Sequence, residues 1–245
     1  MFVLATVRDN LKVIPESFDR PTLDVLTEVV DMKYSNKVII NVGLAICLHS
    51  FESVGDALVY PSDGSAHYEA EFRLLMFRPF VGEVLTGKIG RCSETGITVS
   101  IGFFEDITIP KPLLCHPSVY HKRHKAWVWK YSDADADAAD FNPDDSYIMQ
   151  VGDEIRFRVR TLDFTEVVNT ANGYQATTVS TGPQGGGGEG GGGAGGARAK
   201  GLQEAPPMGR QRSTSIDITT PAEAPPCMSI TASINEDGLG LTSWW

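Results

Sequence analysis

Cys115, His116, His121 and His124 bring a thiol and three imidazoles close together in the chain, a donor set able to hold zinc. Their spacing is not that of a zinc finger, and Lys122, Arg123 and Lys125 stand among the histidines, where their charge repels a cation. A basic loop is the simpler reading, and no metal is expected. The same stretch, His121-Lys122-Arg123-His124-Lys125-Ala126-Trp127-Val128-Trp129-Lys130-Tyr131, interleaves cations with aromatics, as single-strand nucleic-acid binders do for phosphate contact and base stacking. It equally describes a strand whose Trp127 and Trp129 share one face and pack inward, and the residues leave both readings open. Ile155-Arg156-Phe157-Arg158-Val159-Arg160 alternates strictly, which sends Ile155, Phe157 and Val159 to a core and lines three arginines along the outer face. Such a row can track phosphates. It can also be a solvated face or a protein contact, the acidic loop of this chain included.

Other motifs carry less. The glycine run between Gly185 and Gly201 lacks the Gly-Lys-Ser/Thr ending of a phosphate loop. No His-Glu-x-x-His, Gly-x-Ser-x-Gly or dinucleotide fingerprint occurs, so the chain is expected to be noncatalytic and to need no cofactor. Arg210-Gln211-Arg212-Ser213-Thr214-Ser215 sets serines three residues after arginines in a flexible tether, a pattern that suits regulatory phosphorylation and is also common by chance.

The elements that must position these residues are legible as two regions. Phe2, Leu4 and Thr6 alternate with Val3, Ala5 and Val7, predicting a strand with both faces partly covered. Pro21 in a first turn, Asp24 and Glu28, and Leu23, Leu26, Val29 and Val30 at three-and-four spacing predict a helix over 21–34. The apolar run from Asn36 to Ser50 reads as one buried strand. Gly55 to Gly64 reads as a turn, a short strand and a second turn, and His67 to Phe77 as a long strand ended by Arg78-Pro79. A boundary near residue 79 follows, giving domains 1–79 and 80–245. Beyond it, short strands at 84–90, 97–101, 107–109, 126–131, 154–162 and 228–234 suggest a small barrel. Two insertions interrupt it: an acidic loop at 133–145 and a Gly/Pro-rich tether at 182–226, too poor in apolar residues to offset ordering entropy. The final Trp244-Trp245 pair is costly to expose and is expected to dock on this barrel or on a partner.

Composition narrows the class. With 245 residues, 42% hydrophobic and 21% charged, the chain suits one or two globular domains. No run approaches the roughly 18 apolar residues of a membrane span, and Met1-Phe2-Val3-Leu4-Ala5-Thr6-Val7-Arg8 lacks the features of a signal peptide. A soluble chain with no membrane role is expected. Cys47, Cys92, Cys115 and Cys227 lie far apart, which suits a reducing compartment. The net charge of −10 argues against bulk binding to duplex DNA, but residues 81–132, among them Lys88 and Arg91, carry seven basic and four acidic side chains.

Several segments together resemble the larger subunit of the two-subunit stalk of archaeal and eukaryotic RNA polymerases, over both domains. The Met1-Phe2-Val3-Leu4 start, Lys12-Val13-Ile14-Pro15, the loop to Asp63-Gly64 and Phe77-Arg78-Pro79-Phe80-Val81-Gly82-Glu83-Val84 look like that family's tip domain and junction. Ser100-Ile101-Gly102-Phe103-Phe104-Glu105-Asp106-Ile107-Thr108-Ile109-Pro110 and Gly238-Leu239-Gly240-Leu241-Thr242-Ser243-Trp244-Trp245 look like its RNA polymerase III branch. The resemblance implies an α+β chain: a ribonucleoprotein-like tip followed by an S1-type oligonucleotide-binding (OB) barrel with lineage-specific insertions. It implies a noncatalytic nuclear subunit that docks on the polymerase III core and pairs with a small helical subunit. Such a subunit works beside the initiation subunits and contacts nascent single-stranded RNA in transcription of tRNA, 5S rRNA and other small RNAs. By position, Gly55, Asp56, Pro61, Asp63 and Gly64 are the candidates for core docking.

One departure bears on mechanism. S1 barrels that grip RNA usually carry Phe-Gly-x-Phe in the second strand and Gly-Leu-Val-His after the third. Here those places read Thr95-Gly96-Ile97-Thr98-Val99 and Asp106-Ile107-Thr108-Ile109-Pro110. RNA contact is therefore expected to be weak, salt-sensitive and sequence-tolerant, carried by Lys88, Arg91, Lys122, Arg123, Lys125, Arg156, Arg158 and Arg160, with stacking from Phe103, Phe104, Trp127 or Trp129. The competing class is a freestanding S1-domain RNA-binding protein of translation or RNA decay, told apart by whether the N-terminal domain binds a helical partner. An enzyme resting on the Cys/His cluster comes third.

Overall fold

The computed structural model describes residues 1–61, 63–129, 147–170, 173–182, 211–218 and 225–244. They divide into two compact units, Met1–Phe80 and Val81–Trp245. The first is an antiparallel sheet with one helix. Strands β1 (Phe2–Val13), β2 (Val38–Ile39), β3 (Gly43–Val59) and β4 (Ala66–Phe77) lie in the order β1-β4-β3-β2, and α1 (Thr22–Tyr34) packs on one face. Val25, Leu26 and Val30 of α1 meet Leu11, Val13, Ala45, Phe72, Leu74 and Met76. Leu23, counted with the apolar stripe in the sequence, stays 58% exposed because the buried arc centres on Leu26 and Val30. Asp9 ties helix to sheet: Tyr34 Oη donates to its Oδ2 at 2.6 Å and Lys33 Nζ to the same oxygen. Burial pushes the Asp9 carboxyl up, but these two donors outweigh it and hold the group below its ordinary value.

Three sequence expectations for this unit are corrected. β1 is covered on one face only: Ala5, Val7, Leu11 and Val13 pack toward α1, while Phe2, Leu4 and Thr6 are exposed on a strand at the sheet's edge. The run 36–50 is not one strand. It reverses at Ile40–Val42, where Asn41 takes φ +63° and Gly43 φ +138°, so that Val38 pairs with Leu44 and Ile39 with Gly43. A side chain at Gly43 would press on Phe77 O at 2.6 Å. Nor does the chain turn at Gly55-Asp56, for β3 runs on to Val59. Register shifts, the last between Val54 and Ala57, absorb the extra residues as bulges, and the reversal comes at Tyr60–Gly64, where Gly64 N donates to Tyr60 O at 3.0 Å.

The second unit is built on five strands: β5 (Val84–Ser93), β6 (Gly96–Ser100), β7 (Ile107–Pro110), β11 (Glu154–Thr170) and β14 (Met228–Ser233). β5 pairs β6, β6 pairs β7, β7 runs parallel to β14, β14 pairs β11, and β11 returns to β5. That closed order, with the third and fifth strands parallel, is an OB barrel. Leu85, Ile89, Ile97, Val99, Ile107, Ile109, Ile155, Phe157, Val159, Met228, Ile230 and Ala232 are buried within it. The link from third to fourth strand carries a small sheet of β8 (Ser118–His121), β9 (Ala126–Trp129) and β10 (Ile148–Met149), and β15 (Gly240–Leu241) pairs with the start of β11. The fold is α+β throughout.

The sequence pattern missed β8, β10 and two strands in the link from fourth to fifth. β11 was expected to stop at Leu162 but runs on to Thr170 and pairs with β12 (Gly173–Thr181), which pairs in turn with β13 (Gln211–Ile218). β13 falls inside the stretch 182–226 expected to be a tether, so that expectation is corrected for 211–218. The segment Arg-Ser-Thr-Ser-Ile-Asp alternates weakly, and its strand character comes from the ladder that β12 offers. The acidic loop 133–145 and residues 183–210 lie outside the described residues.

Gly96 allows β6 to lie so close to β7 as it leaves the turn from β5. It sits at φ +155°, and a Cβ there would lie 2.2 Å from Ile109 O. Gly96→Ala is expected to destabilise the barrel by about 3 kcal/mol, read as a lowered urea midpoint. A loss below about 1 kcal/mol would mean that β6 and β7 separate freely.

Candidate nucleic-acid interface and docking surfaces

β11 presents its alternation as the sequence predicts: Ile155, Phe157 and Val159 are fully buried and the three arginines point outward. The arginines are not equivalent. Arg156 is exposed beside Thr86 of β5. Arg158 and Arg160 close on one carboxylate, Arg158 Nη1 lying 3.0 Å from Glu236 Oε2 and Arg160 Nη2 2.8 Å from Oε1. The Nε atoms of both are buried without a hydrogen-bond partner among the described residues. Two of the three charges in the row thus share a counter-charge built into the segment after β14, which sequence reasoning missed because Glu236 lies far from β11 in the chain. Its only sequence signal is an acid placed just past a barrel strand.

Lys88 and Arg91 are exposed on β5, opposite Ser100 and Thr98 of β6. Lys88 also faces Glu154 across β11, which makes it a diagonal neighbour of Arg156. Lys88, Arg91 and Arg156 are thus exposed cations on the adjoining strands β5 and β11, with exposed Glu154 opposite Lys88, and the Arg158–Arg160 pair continues the β11 row in partly neutralised form. OB barrels commonly hold oligonucleotides on the second and third strands. Here the outward positions of those strands are Thr98, Ser100 and Thr108, hydroxyls where rings would stack. Phe103, in the loop after β6, is 45% exposed, whereas Phe104 is buried and is corrected from stacking candidate to core residue.

The tryptophan strand divides too. Trp127 is 1% exposed and its indole N–H donates to Ser93 O at 3.0 Å, so the inward reading holds for it and it is corrected as a stacking platform. Trp129 packs on Trp244 at 5.1 Å and Tyr147 at 5.2 Å between ring centroids, and donates to His116 O at 3.2 Å. Trp244 does dock on the barrel unit; Trp245 lies outside the described residues. Gly240, at φ +110°, makes room for the Trp244 ring, which a Cβ would approach to 2.4 Å. Lys122 pairs with Glu94, and Arg123 and Lys125 are exposed in the turn between β8 and β9. Cys115 points into the core: its thiol donates to Ile234 O at 3.2 Å and burial pushes its pKa up to about 11. A thiol so held is a poor metal ligand. Among the described residues no three His, Cys, Asp or Glu side chains gather to hold an ion.

At the far end of the first unit, the proposed docking residues have different tasks. Asp63 accepts from Lys12 Nζ at 3.0 Å and meets His67 Nε2 at 3.3 Å, and Lys12 first, then His67, hold its carboxyl below the ordinary range. It fastens the Tyr60–Gly64 turn to β1 and β4. Gly55 and Asp56 lie at the β3 bulge, and Pro61 and Gly64 shape the turn. The exposed apolar residues here are Leu58, Val59 and Tyr60, and alternation along β3 sets Leu58, opposite His67, on one face and Val59, opposite Ala66, on the other. Sequence reasoning passed over these three as strand residues, although three large apolar residues ahead of a Pro-Ser-Asp-Gly turn were a signal.

Comparison with known proteins agrees with this architecture. The profile of the family described as "RNA polymerase III subunit Rpc25" matches residues 83–245, and that of the "SHS2 domain found in N terminus of Rpb7p/Rpc25p/MJ0397" matches residues 8–64. The chain is 34% identical over 245 residues to DNA-directed RNA polymerase III subunit rpc8 of Schizosaccharomyces pombe, spanning 100% of both chains. It is 35% identical to subunit RPC8 of Bos taurus, over 100% of this chain and 98% of that one, and 28% identical to subunit RPC8 of Saccharomyces cerevisiae over the full length of both.

The first match includes the C-terminal dock. Trp244→Ala is expected to lower barrel stability by about 2 kcal/mol, since the ring is half-buried against Trp129 and Tyr147. Gly240→Ala, which drives a methyl group into the same ring, should do likewise. Both are read from urea unfolding followed by tryptophan fluorescence, and an unchanged midpoint in either would show that the barrel does not use this dock.

Proposed function

The chain belongs to the RNA polymerase III subunit Rpc25 family, and from that premise we propose that it is the larger stalk subunit of nuclear RNA polymerase III, noncatalytic, acting as a platform between core enzyme, partner subunit and emerging RNA. The observation that carries this reading is that the similarity to polymerase III subunits runs the whole length of the chain and covers both compact units. The first unit offers its β3–β4 end, with exposed Leu58 and Tyr60 beside His67 and the Asp63-fastened turn, for insertion against the polymerase core. Its other exposed apolar strip, Phe2 and Leu4 on edge strand β1, suits the apolar face of a small helical subunit. Work beside the polymerase III initiation subunits follows from the same assignment.

The barrel's part is a modest contact with nascent single-stranded RNA. Lys88, Arg91 and Arg156 supply phosphate contacts, and Arg158 and Arg160 contribute as far as Glu236 releases them. With threonine and serine on the outward face of β6, affinity rests on charge and varies little with sequence.

Two measurements test these assignments separately. Affinity purification of the tagged native protein at moderate salt should recover a small helical subunit together with the large polymerase III subunits; recovery of ribosomal or decay factors without polymerase would favour the freestanding RNA-binding class. Binding of a short single-stranded RNA to the purified chain should weaken in the Arg156→Ala, Arg158→Ala, Arg160→Ala triple variant, with the slope of log K against log salt falling by roughly 0.7 for each phosphate contact removed. Glu236→Gln should move the other way, tightening RNA by up to about fivefold, the scale of one exposed ion pair. Unchanged affinity in the triple variant with its fold intact would remove the arginine row from the RNA path.

A further inference from the structure

We propose that Ser215 is a phosphoacceptor for a protein kinase that reads an arginine three residues before its target, and that the added phosphate releases β13 from the sheet. The sequence supplies the spacing, Arg212 standing three residues ahead of Ser215, and a kinase cleft lined with acid discriminates such substrates by charge complementarity. The fold supplies access. β13 ends the strand order β13-β12-β11-β14-β7-β6-β5 and pairs with β12 alone among the described residues, so its outer edge is open. Thr214, Ser215 and Ile216 are all exposed, Ile216 at 59%. An edge strand held through one backbone ladder, with Thr214, Ser215 and Ile216 exposed, sits at the low end of local stability and can peel away already extended. Because it lies outside the five-strand barrel, its release leaves the β5–β11 closure in place.

Chemistry at Ser215 then acts on that weak ladder. Ser215 Oγ lies 3.2 Å from Thr177 Oγ1, and the backbone register runs Ser215 to Thr177 to Glu166 across β13, β12 and β11. In the transfer, Ser215 Oγ bonds to the γ-phosphorus of a nucleoside triphosphate, the bond to the bridging β-phosphate oxygen breaks, the diphosphate leaves, and the hydroxyl proton passes to the kinase base. The product carries a charge of about −1.5 to −2 in the row that already holds Glu166, and the hydroxyl can no longer donate to Thr177. No cationic side chain shares that row, so on the docked strand the phosphate meets the like charge of Glu166 with no partner to offset it, and the repulsion ends when the strand is free.

The test treats the full chain with ATP and the catalytic domain of an Arg-x-x-Ser-directed kinase. It locates the phosphate by mass spectrometry and follows amide hydrogen exchange in 173–181 and 211–218. The expected result is phosphate on Ser215, absent in Ser215→Ala and reduced about tenfold in Arg212→Ala. Exchange should be about tenfold faster in β12 and β13 and unchanged in β5–β7, with Ser215→Glu reproducing the exchange without kinase. Modification of a synthetic peptide of residues 209–218 but not of Ser215 in the full chain would overturn the proposal, since the docked strand would then be closed to the kinase. Phosphate on Ser213 or Thr214 in place of Ser215 would overturn it too, as would full modification of Ser215 with unchanged exchange.

Discussion

The barrel unit depends on one strand. β11 closes the barrel against β5 over Glu154–Arg158, carries β14 from Arg158 onward, and then leaves the barrel to found the ribbon with β12. Strict alternation allows this, because Ile155, Arg156 and Arg158 have ladder partners on both sides while every second side chain fills the interior. Ile155, Phe157 and Val159 meet that demand with no exposed surface. The remaining positions are forced outward, so the row of arginines is a by-product of closure before it is anything else. The irregular register between Val159 and Thr161 bends the strand where it changes partners, and Arg160 sits at that bend, within reach of Glu236.

From this strand the rest of the unit is placed. β15 pairs Leu241 with Ile155, which delivers Trp244 to Trp129 and Tyr147 and so ties the C-terminal segment to the β8–β10 sheet. The first unit has its own frame. There β4 lies between β1 and β3, α1 covers one face, and bulges in β3 absorb the surplus residues of a strand longer than its neighbours. The exposed Leu58–Tyr60 end is where β3 outlasts the cover that α1 provides.

What the sequence revealed follows the range of each interaction. Periodicity is local, so α1, the β4 and β5 strands, and the inward set of β11 were legible from it. The bounds that failed were set by distant partners. Asn41 and Gly43 turn an apolar run that periodicity alone reads as continuous, and β13 exists because β12 provides a ladder for a segment with almost no apolar stripe. The site divides on the same line. Arg156, Lys88 and Arg91 are visible as exposed cations, but Glu236 pairs with arginines more than seventy residues earlier, and Trp127 turns inward to donate to Ser93 O, 34 residues away. Resemblance to a family added what pattern could not, the OB-type closure of the barrel strands.

The two insertions of the barrel fall in the links from third to fourth and fourth to fifth strand, and this placement is physically selective. The β5–β6 link is the tight Ser93–Gly96 turn, and Gly96 has no space for a side chain, so growth there would open the barrel. The later links are long ones that leave beyond the closing ladders, and additional chain there costs little more than loop entropy. The third-to-fourth link seals itself with Ala126, Val128 and Ile148, and the fourth-to-fifth link extends β11 rather than interrupting it. Lys88, Arg91 and Arg156 thus lie on β5 and β11, the two strands that close the barrel, while both insertions fall in links whose length closure does not fix.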